Sequence, residues 1–322
     1  MKSPIPSLGI ILPCYNEEEI LFKTNKRISE LVDNLIARGV INDESIIAFV
    51  DDGSSDQTWK LINSSIAHNE KKIGIKLSRN FGHQSALLAG IAQMYKQVDC
   101  IITIDADLQD DISVIEEMIK KFTHGFEIVY GVRKKRTTDS YFKRKSAKLF
   151  YFLMKILGAN ILEDHADFRL ASRRVCENLF AFGEVNLFLR GIFPLIGFNN
   201  SVVYYDRLER TDGETKYPFT KMLAFALEGI TSFSVKPLRI VSLIGISIFI
   251  ISCFLTLYSV ISYFYLGTVP GWTSITLPIY FLGGIQILCI GIIGEYLGKV
   301  YQEVKSRPRF IIETIVTGED KF

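Results

Sequence analysis

At 322 residues the chain has room for one large domain or two smaller ones, and a net charge of +2 excludes a global pull towards nucleic acid. The apolar share of 48% and the mean hydropathy of +0.22 are high for a protein that meets only water, and the excess is concentrated in one stretch. Five scattered cysteines, Cys14, Cys100, Cys176, Cys253 and Cys289, make no C-x-x-C pair, which argues against a disulfide framework or zinc site and fits a reducing cytosol.

The N-terminal part alternates strand and helix patterns. Leu8–Pro13 reads as a short apolar strand, and Asn16-Glu-Glu-Glu19 opens an amphipathic helix to about Arg38 with acids suited to its N-terminus. Ser45–Val50 is a second strand, followed by Asp51-Asp-Gly-Ser-Ser-Asp56 and a helix from Gln57, with Asp56 as N-cap. Ile73–Leu77 is a third, ending in Ser78-Arg-Asn-Phe-Gly-His83 and a helix through Tyr95. Cys100–Ile104 is a fourth and Phe126–Tyr130 a fifth. Such alternation predicts βαβ units and a mostly parallel sheet.

Polar residues follow each of the first four strands: Tyr15, Asn16 and Glu17; Asp51 and Asp52; Arg79, Asn80 and His83; Asp105, Asp107 and Gln109. At the carboxyl edge of a parallel sheet these positions converge on one crevice, which favours a nucleotide site. Asp105 and Asp107 lie two apart, on one side of an extended segment. Two hard oxygen donors so placed suit Mg²⁺ or Mn²⁺ completed by substrate phosphates. The plain alternative is an acidic turn capping the helix that starts near Asp111. No G-x-G-x-x-G follows a strand and no P-loop motif is present, so phosphate falls to metal and arginine.

Arg133–Lys148 carries eight basic residues and one acid, with aromatic residues interleaved. It reads either as a solvated helix face or as a cationic surface for anionic lipid or a phosphorylated substrate. In Asp164–Arg173, Asp167, Arg169 and Arg173 share one face if the segment is extended; a buried ion pair is the alternative. Arg207, Arg210 and Lys216 occupy a polar loop able to close over a pyrophosphate, and Phe219–Phe233 patterns as an amphipathic helix along a membrane.

Between Arg239 and Glu295 lie 55 residues without a charge. A bilayer span needs roughly 20 apolar residues, so two spans are expected, near Ile240–Tyr265 and Ser274–Gly294, joined by the turn Gly267–Trp272. Lys236 and Arg239 precede the first; Lys299, Lys305, Arg307 and Arg309 follow the second. The positive-inside rule then puts both ends in the cytoplasm. No signal peptide is visible, since the Leu8–Leu12 run is too short. The tail Arg309–Val316 alternates weakly and is expected to pack back as a strand.

The ordered motifs Leu12-Pro-Cys-Tyr-Asn-Glu-Glu18, Val50-Asp-Asp-Gly-Ser-Ser-Asp-Gln-Thr58, Ser78-Arg-Asn-Phe-Gly-His-Gln84, Asp105-Ala-Asp-Leu-Gln-Asp110, Asp167-Phe-Arg169 and Arg210-x-x-Gly-x-x-Lys-Tyr217 together resemble family 2 glycosyltransferases of GT-A fold. Within them the chain is similar to polyprenyl-phosphate glycosyltransferases, the bactoprenol glucosyltransferases and dolichol-phosphate mannose synthases. The resemblance spans nearly the whole chain, with two departures. Asp111-Ile112 stands where the group often has a proline pair, and the Q-x-x-R-W signature of processive synthases is absent, favouring single-sugar transfer.

That resemblance implies a GT-A nucleotide-sugar-binding domain over 1–216, a juxtamembrane helix over 217–236, a transmembrane hairpin over 237–300 and a cytosolic tail over 301–322. It implies donor contacts at Pro13, Tyr15, Asn16, Glu17, Asp51, Asp105, Ala106, Asp107 and Gln109, with metal at Asp105 and Asp107. Asp107 and Asp167 take the catalytic positions, and Arg133, Arg169, Arg210 and Lys216 the acceptor and phosphate contacts. The implied reaction is inverting transfer of one sugar, glucose from UDP-glucose, to undecaprenyl phosphate at the cytoplasmic face of a bacterial inner membrane. Mannose, N-acetylglucosamine, galactose and aminoarabinose donors are the alternatives, with a non-catalytic membrane scaffold or transport protein as the rival of another class. A homo-oligomer, a tetramer in the related proteins, is a further implication. Because a phosphate monoester with a second pKa near about 6 is largely ionised at neutral pH, a strong general base is not required, and Asp167 is expected to position groups more than to abstract a proton.

Overall fold

The computed structural model describes residues 5–67, 69–133, 165–184, 189–206, 236–265 and 272–318. The chain forms two compact units, one of Met1–Ser146, Ile161–Lys216 and Arg307–Phe322, the other of Ala147–Asn160 and Tyr217–Ser306.

The first unit is built on an eight-stranded sheet: β1 Leu8–Cys14, β2 Ile46–Asp51, β3 Lys72–Leu77, β4 Cys100–Thr103, β5 Ile128–Arg133, β6 His165–Ser172, β7 Asn200–Tyr205 and β8 Ile312–Thr317. Their order is β7-β5-β6-β4-β1-β2-β3-β8. The pairs β1–β2, β1–β4, β2–β3 and β5–β7 are parallel; β6 and β8 run against their neighbours. Every residue of β1 is buried, as expected of a central parallel strand covered on both faces.

Alternation along β1 assigns the two layers. Leu8, Ile10, Leu12 and Cys14 join one apolar core with the helices α1 (Leu21–Ala37), α2 (Thr58–Ile66) and α4 (Ile115–Thr123), through Ile28, Val32, Ile62 and Met118 among others. Gly9 and Ile11 face the opposite layer, where α3 (His83–Met94) crosses. The contact there is close: a side chain on Gly90 of α3 would start 2.5 Å from Ile11. Helices α5 (Arg173–Ala181) and α6 (Leu189–Ile196) follow β6. The strands expected from apolar runs are all present within a residue or two at their starts. The stretch His165–Ser172 is extended, so Asp167 and Arg169 share a face while Arg173 opens the helix that follows, and the tail does return as a strand, β8, antiparallel to β3.

Helix starts differ more. The first helix begins at Leu21 rather than among the acids, because Asn16, at φ 54°, and Glu18, which accepts the Gln57 amide, are spent on loop contacts. Asp56 does accept the Thr58 amide at the head of α2, at 2.9 Å. Asp111 caps a single 3₁₀ turn, Ile112–Val114, by accepting from the Ser113 amide, and α4 follows.

The second unit contains α7, Lys236–Tyr265 (30 residues), and α8, Trp272–Lys305 (34 residues), which contact each other. These helices fall where the two spans were expected. Counted over the described residues alone, no helix is long and apolar enough to cross a membrane. The basic segment beyond Arg133, the loop carrying Arg207, Arg210 and Lys216, and the Phe219–Phe233 stretch lie outside the described residues.

Gly53, in the loop after β2, has φ +69°, and a Cβ there would stand 2.4 Å from the Arg79 carbonyl carbon. Gly53→Ala is therefore expected to destabilise the protein by at least about 1–2 kcal/mol from left-handed backbone alone, and to separate the loops after β2 and β3. Thermal unfolding of the full-length protein in detergent measures the first effect.

Candidate active site

The carboxyl ends of β1 to β5 and β7, with the start of β6, open on one edge of the sheet, and the sequence-singled residues gather there. The first two loops are laced together. Asn16 Oδ1 accepts from the Ser55 amide (2.9 Å), the Asn16 amide donates to Ser54 Oγ (3.0 Å), and the Glu17 amide donates to Thr58 Oγ1 (2.8 Å). Pro13 is buried at the end of β1, while Tyr15 is 47% exposed beside the crevice.

Asp51 and Asp52, adjacent in sequence, have different jobs. Asp52 accepts the Phe81 and Gly82 amides at 2.7 and 2.9 Å and so staples the third loop. Asp51 is fully buried, receives a long bond from the Ser54 amide (3.4 Å), and its Oδ2 has no hydrogen-bond partner. Burial pushes its carboxyl up. A buried acceptor left open in this way suits a ligand donor such as a hydroxyl or ring N–H.

The fourth loop is held from below: Thr24 Oγ1 of α1 donates to the Ala106 carbonyl at 2.6 Å. Asp107 Oδ1 accepts the Gln109 amide at 3.2 Å in a tight turn, and Leu108 sits at φ 45°. Asp105 Oδ1 and Gln109 Nε2 are buried without hydrogen bonds, the former 3.5 Å from His83 Nε2. Burial raises the Asp105 carboxyl; His83 lowers it, and the carboxylates of Asp167, Asp110 and Asp107 raise it further. Carboxylates crowded into mutual repulsion fit a divalent cation. Among the described residues no three His, Cys, Asp or Glu side chains converge to hold a metal by themselves, so any ion at Asp105 and Asp107 would draw further oxygens from its ligand.

Two cationic clusters flank these acids. In the first, Arg133 donates to Asp110 Oδ1 through Nε (3.2 Å) and Nη2 (3.0 Å) and to Tyr205 Oη (3.3 Å), while Tyr205 Oη donates to Asp110 Oδ1 at 2.7 Å. In the second, Asp167 accepts from Arg190 Nε (3.2 Å, Oδ1) and Nη2 (2.9 Å, Oδ2), from Arg169 Nη2, and lies 3.5 Å from His83 Nε2. The Thr103 hydroxyl ties the Asp167 carbonyl to β4. Burial alone would raise the Asp167 carboxyl, but His83 and the guanidinium groups of Arg169 and Arg190 hold it well below the usual carboxylate range.

Arg169 does not fit the phosphate contact expected of it. Its side chain is 1% exposed, donates to the Leu189 carbonyl at 3.3 Å and lies 4.5 Å over the Phe193 ring. The buried ion pair weighed from the sequence is what forms. Arg190 is the cation the sequence reading missed: it sits 23 residues beyond Asp167 on another element, and its approach follows from α6 being fixed by the Leu189 amide donating to Gln84 Oε1 at 2.9 Å. Arg210 and Lys216 lie outside the described residues.

A mostly parallel α/β sheet with an acidic metal-fitting loop and two flanking arginines at its carboxyl edge is the layout of a GT-A-like glycosyltransferase. Residues 9–180 match the family described as glycosyl transferase family 2, and the chain belongs to that family. It is 50% identical over 319 residues to "Uncharacterized glycosyltransferase YkoT" of Bacillus subtilis (strain 168), covering 99% of this chain and 95% of that protein. It is 40% identical over 312 residues to the bactoprenol glucosyl transferase of Shigella phage SfX, covering 95% and 99%. Among solved structures it is similar to glucosyl-3-phosphoglycerate synthase from Mycobacterium tuberculosis, at TM-score 0.47 and 20% identity over 70% of this chain and 78% of that one.

Asp167→Ala would leave the buried Arg169 charge uncompensated and is expected to destabilise by about 3–5 kcal/mol at neutral pH. The Asp167 carboxyl titrates lower in the folded than in the unfolded chain, where about 3.9 is usual. Its contribution is therefore present above about pH 4 and lost as pH falls through the lower folded value. Unfolding compared at pH 7 and pH 3 should show the gap between variant and wild type narrowing in acid.

Proposed function

We propose that this glycosyltransferase moves a single sugar, glucose from UDP-glucose, onto undecaprenyl phosphate, with inversion, at the cytoplasmic face of a bacterial inner membrane. The observation that carries the reading is the pairing of an acid cluster carrying an open oxygen, at Asp105, with two partly exposed arginines, Arg133 and Arg190, at one sheet edge. Such a crevice fits a diphosphate donor on the acids' side and an anionic acceptor on the arginines' side. The bactoprenol glucosyl transferase relative, similar over nearly its whole length, supports this acceptor and sugar over the other candidates.

Asp105 and Asp107 would hold a divalent cation, Mg²⁺ or Mn²⁺, with the donor diphosphate. When bound, the cation supplies positive charge for the departing nucleoside diphosphate. Asp51 and the Pro13–Glu17 and Ala106–Gln109 segments would seat the nucleotide, using the open acceptor of Asp51 and donor of Gln109. The acceptor phosphate oxygen attacks the anomeric carbon as the bond to the leaving diphosphate breaks. That oxygen carries no proton to remove at neutral pH. Asp167, clamped between guanidinium groups and held strongly acidic, is a poor proton acceptor; it orients Arg190 and His83.

The membrane assignment rests on the charge-free stretch and on the side chains α7 and α8 present. Leu243, Ile250, Phe254 and Leu257 of α7 and Ile275, Ile279, Ile287 and Ile290 of α8 are each 49–73% exposed. Apolar side chains exposed in that number support a non-aqueous surrounding, and the 55-residue charge-free stretch of sequence is longer than the roughly 20 residues one span needs. A lipid-bound acceptor gives the anchor its purpose.

The test is transfer of radiolabelled sugar from UDP-glucose to undecaprenyl phosphate by the full-length protein in detergent micelles, with Mg²⁺ or Mn²⁺, with EDTA, and with Asp107→Ala. Metal-dependent lipid-linked product, reduced at least about 100-fold in the variant, is expected. Product only from another nucleotide sugar would correct the donor; no product from any donor would overturn the reading. Asp167→Asn should retain measurable transfer with a shallow pH dependence, measured alongside.

A further inference from the structure

One oxygen of the acidic loop, Asp105 Oδ1, is buried and has no hydrogen bond. His83 Nε2 stands 3.5 Å from it, and the same nitrogen lies 3.5 Å from Asp167 Oδ2 on β6. A ring nitrogen between two carboxylates carries its hydrogen there, because a lone pair would be repelled by both. Both separations exceed the usual hydrogen-bond range of about 2.7–3.2 Å. The imidazole is thus aimed at two acids without being used up by either. Its side chain is also 42% exposed, whereas Arg169, on the same Asp167, is 1% exposed and sealed in.

The fold fixes this exposed ring from both sides. His83 is the first residue of α3. Before it, Gly82 turns the chain at φ +93°, a conformation that suits glycine, and Asp52 holds the Phe81 and Gly82 amides at 2.7 and 2.9 Å. After it, Gln84 Oε1 accepts the Leu189 amide of α6 at 2.9 Å. A side chain that is open to a ligand while its backbone is held by β2 and α6 is preorganised for a contact.

The chemistry of the gap selects the ligand group. Carboxylates on two sides repel a phosphate in direct contact but accept from a hydroxyl, and the imidazole N–H donates to one. Two atoms 3.5 Å apart can both lie about 2.8 Å from a third, so a hydroxyl oxygen fits between His83 and Asp105. The sheet order distinguishes one set of hydroxyls from another. Across β2-β1-β4-β6, Asp51 ends β2, while the gap lies between the loop after β4 and β6, on the far side of β4. A nucleotide seated at Asp51, with its diphosphate at the acidic loop, delivers its sugar rather than its ribose to that gap.

We infer that His83 is a sugar-recognition residue: its Nε2–H donates to a hydroxyl of the transferred sugar, and that hydroxyl donates to the open oxygen of Asp105. This rests on the nucleotide-sugar donor reading proposed above. A carboxylate has two oxygens, so the contact is compatible with a cation at Asp105 and Asp107.

The experiment is calorimetric binding of UDP and of UDP-glucose, without lipid acceptor and with Mg²⁺, to full-length wild type, His83→Ala and His83→Gln in detergent. His83→Ala should weaken UDP-glucose binding about fivefold or more, with UDP affinity within about twofold of wild type. His83→Gln, which restores an N–H donor, should recover part of the loss. UDP-glucose analogues lacking single hydroxyls locate the partner: one should bind wild type more weakly by a similar factor and lose nothing further in His83→Ala. UDP and UDP-glucose weakened equally in His83→Ala, UDP-glucose left unaffected, or additive losses for every analogue would each overturn the sugar contact alone. Wild type that binds neither UDP nor UDP-glucose would overturn the donor reading and the contact with it.

Discussion

The carboxylate of Asp167 is divided among two guanidinium groups and an imidazole, and much of the crevice depends on that division. Through Arg169 it grips the interior, against Phe193 and the Leu189 carbonyl. Through Arg190 it reaches the open side, and through His83 it meets the acidic loop after β4. One buried charge thus connects β6, α6 and α3. A lone carboxylate at this depth would be costly, and a lone Arg169 more so; each is tolerable because the other is present.

The acidic loop opposite is built on a different economy. Asp105, Asp107 and Asp110 fall within six residues, and Asp110 is matched by the Arg133 guanidinium at 3.0 Å. Asp105 is left with His83 at 3.5 Å and an oxygen without a hydrogen bond. The crevice therefore has an acid-rich wall and an arginine-rich wall.

The core strands were readable because a parallel strand buried on both faces must be apolar throughout, and Leu8–Leu12, Ile46–Val50 and Cys100–Ile102 are. The acidic loop was readable because its residues are consecutive. Partners drawn from afar were not. Arg190 is fixed to Asp167 by the packing of α6, and Tyr205 meets Asp110 across 95 residues. No local period encodes either contact. Asp51 and Asp52 look equivalent in sequence, yet the Phe81 and Gly82 amides claim only the second. The split between Arg169 and Arg190 is of the same kind: alternation along β6 shows a charged face, but only the depth of that face beneath α6 decides which arginine is sealed in. The insertion of β6 between β4 and β5 was equally hidden, since strand order is a property of crossovers rather than of composition.

Strand β8 has a practical consequence for handling the molecule. It joins the sheet only after the chain has left for α7 and α8 and come back, pairing Ile73–Leu77 with Ile312–Thr317 and adding the Lys76–Glu313 ion pair and the Ser78 amide bond to Ile311. A fragment cut before Lys236 to obtain a water-soluble catalytic piece would omit it. The sheet would then end at β3, presenting an open ladder of backbone N–H and C=O groups beside Ile73 and Ile75, the kind of border along which copies stack into aggregates. A shortened version that keeps its sheet has to splice residues 307–318 back on behind a linker replacing the helices.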